Sequence, residues 1–106
     1  MNPNAEAAMN SQAETVKNKQ TAALTAKMKH GIEKITLEKD EAFRALALKT
    51  ADPKATVVFI DATLAAEFAT RRENLLKSEE EFRKAEIEAE YNASLLSILK
   101  IVNSVK

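Results

Sequence analysis

The chain has no cysteine and no tryptophan, and only one glycine and two prolines among its 106 residues. Without cysteine, neither a disulfide framework nor a thiolate zinc site can form. So few glycines and prolines cannot supply the many reversals of an all-β fold. Excess charge of one sign is also lacking: 16 Lys and Arg offset 16 Asp and Glu. No overall basic field therefore draws nucleic acid. The longest apolar-dominated stretch, Leu95 to Val105, is eleven residues and is interrupted by Ser97, Lys100, Asn103 and Ser104. A bilayer span needs about 20 predominantly apolar residues. The opening Met1-Asn2-Pro3-Asn4-Ala5-Glu6 has neither a basic start nor an apolar segment of the secretory type. The expectation is a soluble chain, in the cytoplasm or exported by a route that does not read such a signal.

Ala, Glu, Lys, Leu and Arg make up 58 of the 106 residues, the composition of long helices or a coiled coil. Residues 1–21 are rich in Asn, Ala, Gln, Ser and Thr, with Val16 the one branched or aromatic apolar residue. Such a segment buries little, which predicts a flexible start over residues 1–10. From about Ser11 the chain reads helical. Leu24, Met28, Ile32, Ile35, Ala42 and Leu46 mark one helical face, and Gly31 is the one weak point within it.

Lys49-Thr50-Ala51-Asp52-Pro53 is the sharpest local signal. Asp52 suits a helix cap and Pro53 the first helical position, while Pro53 also disfavours helix at Asp52. These residues predict a turn near 50–53 and a second helix from Pro53 to about Val105. In that helix Phe68, Leu75, Phe82, Ala89 and Leu96 recur every seven residues. Arg71, Ser78 and Asn92 interrupt the companion series. Thr56-Val57-Val58-Phe59-Ile60 is β-branched enough to read as a strand alone, but the helical context prevails. The predicted fold is all-α: a long antiparallel α-helical hairpin over 11–106, coiled-coil-like. A turn near residue 51 sets position i opposite about 102 − i, bringing Lys17, Lys19, Lys27 and Lys29 against about residues 73–85, within a stretch 73–90 that carries seven Glu.

The chemistry of catalysis is missing from the pattern. The single His30 lacks a second ligand and reads as structural, and no Gly-rich loop cradles phosphate. Asp61 and Glu67 do not share a helix face, Glu79, Glu80 and Glu81 read as a solvated face, and Arg71-Arg72 is too small a basic patch for nucleic acid. Asn92-Ala93-Ser94 matches the glycosylation sequon but falls inside a helical pattern. The expectation is no catalytic, cofactor or metal residues and no small-molecule substrate.

What remains unassigned is the C-terminal apolar arc of Leu95, Leu96, Ile98, Leu99, Ile101, Val102 and Val105. By the predicted register it faces residues 1–7, which offer only Met1, Ala5 and Ala7 as apolar cover. Burying one such side chain is worth about 1.5–3 kcal/mol, so another copy of the chain, a partner helix or a lipid surface is expected to cover the arc. With Lys100 and Lys106 as its only basic residues, the arc is poorly equipped for anionic lipid. A shifted register is the purely structural alternative.

The Ala51-Asp52-Pro53 turn, the polar residues 1–21 and the closing Glu90-Tyr91-Asn92-Ala93-Ser94-Leu95-Leu96-Ser97-Ile98-Leu99-Lys100 together resemble the needle and inner-rod subunits of bacterial type III secretion systems. The resemblance implies a small helical hairpin whose apolar C-terminal helix packs in a filament. The helix after Pro53 is longer than in such subunits, and no Trp marks the N-terminal region. The functional expectation is a non-enzymatic structural protein that self-assembles through its C-terminal helix. A small accessory protein or chaperone with a different helical partner, and a membrane-surface helix, are the alternatives.

Overall fold

The computed structural model describes residues 3–104, and 94% of them are helical, with no strand among them. Helix α1 spans Pro3–Ala51, α2 spans Val57–Glu67 and α3 spans Ala69–Ser104. The chain is an all-α antiparallel helical hairpin, with α1 as one arm and α2–α3 as the other. Residues 56–60, strand-like in isolation, cap and begin α2.

Helix α1 starts at Pro3 rather than near Ser11. Proline at the first helical position gives up an N–H that has no intrahelical acceptor, and Glu6 in the first turn complements the positive end of the helix. Gly31 does not interrupt α1, and a Cβ built there would meet nothing within 4 Å.

The reversal differs from the expected one. Asp52 does not cap a helix starting at Pro53. Its carboxylate Oδ1 accepts from Lys54 N at 3.0 Å, and its carbonyl accepts from Ala55 N at 2.9 Å. Asp52 and Pro53 therefore occupy the first two positions of a β-turn, where Asp and Pro are both favoured. Lys49 Nζ donates to the Ala55 carbonyl at 2.8 Å, tying the turn to the end of α1. The cap of the next helix is Thr56, with extended backbone (φ −81°, ψ 157°), whose Oγ1 accepts from Phe59 N at 3.1 Å. The second arm is also not one unbroken helix. Phe68 (φ −104°, ψ 10°) separates α2 from α3. Helical bonds nonetheless continue across it, Phe68 N to Leu64 O at 2.9 Å and Arg72 N to Phe68 O at 2.8 Å.

The helices form two compact units. In the first, residues 3–27 of α1 pair with 80–104 of α3 around Val16, Ala23, Phe82 and Ala89. In the second, residues 28–79 fold back through the turn around Leu37, Ala55 and Leu64. The seven-residue series of the second arm is the inward seam: Phe82 and Ala89 are buried, and Phe68, Leu75 and Leu96 half-buried. Moving the reversal to a turn centred near residue 54 moves the register as well. Lys19 pairs with Glu88, and Gln12 with Asn92, not with the positions that a turn at 51 implies.

Candidate functional site

Helix α1 carries two stripes, and the apolar one faces away from the hairpin partner. The inward residues step by three and four through Val16, Lys19, Ala23, Ala26, His30 and Glu33 to Leu37, all buried or half-buried. Leu24, Met28, Ile32, Ile35 and Leu46 are 59–68% exposed. The sequence marks this second face as periodic and apolar without saying what it packs against, and the structure turns it outward. The first stripe supplies the partners of the polar residues on the opposing arm.

Those partners are specific. In the first unit Gln12 Nε2 donates to the Asn92 carbonyl at 2.9 Å and to its side-chain oxygen at 3.1 Å. Lys19 Nζ lies 3.1 Å from Glu88 Oε2. In the second unit His30 Nδ1 and Ser78 Oγ are hydrogen-bonded at 2.8 Å, and Ser78 Oγ also lies 3.0 Å from the Leu75 carbonyl. Ser78 and Asn92, which break the heptad pattern in the sequence, are thus polar rungs of the seam. Polar groups at such positions fix register, at some cost in stability.

Towards the turn the seam becomes ionic. Arg44 grips Glu67 with two parallel bonds of 2.7 and 2.8 Å, the geometry in which guanidinium–carboxylate pairing is strongest. Hydrogen bonding from Arg44 holds the Glu67 carboxyl below its ordinary pKa, with slight desolvation opposing and the positive charge assisting. The same pair raises Arg44. Arg71 lies 2.9 Å from Asp40, and Arg72 is bonded to Glu41.

The C-terminal arc divides. Leu95, Leu96 and Leu99 are half-buried in the first unit, while Ile98, Ile101 and Val102 are 55–62% exposed. Val105 lies outside the described residues. The corrected register gives this end Met9, whose sulfur is 3.9 Å from Asn103 Nδ2. Asp52 and Pro53 are exposed in the turn and hold no side chain of another helix. The first unit also has an open groove between its helices, lined by Gln20, Ala23, Glu86, Ala89, Glu90 and Ala93.

No described helix is long and apolar enough to cross a membrane, and no three His, Asp or Glu among the described residues are grouped to hold a metal ion. The feature that stands out is the outward apolar surface. Fifteen large apolar side chains among the described residues are 55–78% exposed, while the core of the single chain consists of Val16, Ala23, Leu37, Ala55, Leu64, Phe82 and Ala89. Sequence reasoning found the α1 apolar face without saying which way it points. It missed Phe43, Val57, Val58, Leu76, Ile87 and Tyr91 as exposed residues, though heptad counting from Phe82 and Ala89 puts Ile87 and Tyr91 on the outer side. Compared with protein-family models, curated proteins and solved structures, this chain matches none.

Proposed function

We propose that this protein is a non-enzymatic helical subunit that associates with copies of itself through its outward apolar faces, as the subunits of a secreted filament of the type III needle kind would. The observation that carries this reading is the inverted distribution of apolar residues. Met28, Ile32, Ile35 and Leu46 are 60–68% exposed on α1, and Ile98, Ile101 and Val102 are 55–62% exposed on α3. Monomeric soluble proteins scatter single apolar residues over their surfaces; contiguous apolar stripes mark interaction sites. Helix-period spacing of both stripes suits another helix better than a flat surface.

The test is the purified protein's mass across a concentration series, with electron microscopy of any large species. Mass should rise with concentration, and Ile101→Asp should suppress that rise while helicity is kept. A chain that stays monomeric at high concentration, in the absence of lipid or partner, refutes the reading. Growth only on adding a second protein would establish the accessory-protein alternative in its place.

A further inference from the structure

The two outward stripes have the same spacing. On α1 the outward line is Met28, Ile32, Ile35, Lys39, Ala42 and Leu46, in steps of four and three. On α3 it is Ile87, Tyr91, Ser94, Ile98 and Ile101, in the same alternation. Each lies within one compact unit, and all but Ala42, Lys39 and Ser94 are large apolar residues 55–68% exposed. Each line contains one polar residue.

We infer that the outward stripe of α1 in one copy receives the outward stripe of α3 in a second copy, antiparallel, with Lys39 beside Ser94. This deepens the self-association reading and rests on it. In that register Ile32 meets Ile101, Ile35 meets Ile98, and Leu46 meets Ile87. The smallest member of one line, Ala42, meets the largest of the other, Tyr91. The polar residues share a layer, so neither is set against an apolar side chain. Running the helices parallel would place Lys39 on Ile98 and Ser94 on Ile35. Pairing α1 with α1 in the antiparallel sense, with Met28 on Leu46, would set each Lys39 on an Ile35. Such mismatches discriminate against both alternatives. Because the two surfaces are different, the contact is heterologous: each copy uses one face to bind the next and offers the other, which gives a ring or an open filament rather than a closed dimer.

Since the chain contains no cysteine, single thiols report the contact without background. Lys39→Cys and Ser94→Cys proteins are prepared separately, mixed, and treated with a short bismaleimide. Cross-linked product should form in the mixture and be at least tenfold weaker in either protein alone. A second measurement uses Ile35→Glu and Ile98→Lys: each alone should lose large species, and the mixture should regain them. If the protein self-associates but Lys39→Cys or Ser94→Cys cross-links with itself as strongly as in the mixture, the register is overturned while self-association stands. Self-association with no cross-linking in the mixture overturns it equally. A protein that never exceeds monomer mass removes both readings together.

Discussion

Replacing Thr56 with alanine separates the observed reversal from the one that the Asp-Pro dipeptide implies. Thr56 Oγ1 accepts from Phe59 N at 3.1 Å, at the entry of an α2 of eleven residues. Alanine removes that acceptor and returns one of the first N–H groups of the helix to water. Losing such a cap costs about 1 kcal/mol, which corresponds to a fall in Tm of about 4–8 °C for a domain of this size. Thr56→Ser keeps the acceptor and should recover most of the loss. Asp52→Ala removes only an exposed bond to Lys54 N, worth about 0.5 kcal/mol. Thermal unfolding followed by far-ultraviolet circular dichroism, at one fixed protein concentration because association would shift Tm, ranks the three variants. A larger loss for Asp52→Ala than for Thr56→Ala would show that α2 begins at Pro53 and that the cap assignment is wrong.

Phe82, buried in the first unit, should cost about 3–5 kcal/mol when cut to alanine; Ile87→Ala, at an exposed position, should leave single-chain helicity unchanged and lower only the mass in solution. Gly31→Ala should stabilise the chain by about 1 kcal/mol in chemical denaturation, since the added methyl meets open space and gains helix propensity. The Arg44–Glu67 pair sets a pH dependence. Because the folded Glu67 pKa is depressed, its stabilisation is present above the ordinary carboxylate pKa and is lost as pH falls through the lower, folded value. Glu67→Gln should therefore flatten the acid limb of the stability profile, and added salt should shrink the difference, as for any exposed pair. Asn92→Leu should raise Tm but relax the register, read as a broadened distance between spin labels at Asn18 and Glu90.

The second-arm seam was legible in the sequence because Phe68, Leu75, Phe82, Ala89 and Leu96 repeat without a gap, and the structure turns all five inward. The end of α1 was legible to within a residue, because Pro53 excludes helical geometry just before it. The α1 face was not. A periodic apolar stripe announces that a helix has a contact, but not whether the contact lies inside the chain. Here the inward stripe is built of Ala23, Ala26, His30 and Glu33, whose periodicity no hydropathy pattern displays. Only the polar residues across the seam, Ser78 and Asn92, reveal it. The cap was misread because Asp-Pro suits two structures, a helix entry and the first half of a β-turn. The carboxylate is used by Lys54 N before any helix can claim it. That error of a few residues carried through the register to every cross-arm pairing, and with it to the C-terminal arc.

The order in which the hairpin's contacts lie along the chain has a kinetic consequence. Arg44 and Glu67 are 23 residues apart, Glu41 and Arg72 31, and His30 and Ser78 48. Lys19 and Glu88 are separated by 69, Gln12 and Asn92 by 80, and Met9 and Asn103 by 94. Loop-closure entropy rises by about 0.6 kcal/mol for each doubling of the closed length, so the arms are expected to zip from the turn outwards. Each rung brings the next pair within reach, much as a newly synthesised chain would meet its own earlier half. Residues 87–101 acquire their internal neighbours late, and amide hydrogens there should exchange sooner than those flanking Leu37 and Leu64. During that interval both sides of the C-terminal helix are uncovered, so if the chain self-associates as proposed, it would complete its own hairpin and its intermolecular contact in the same step.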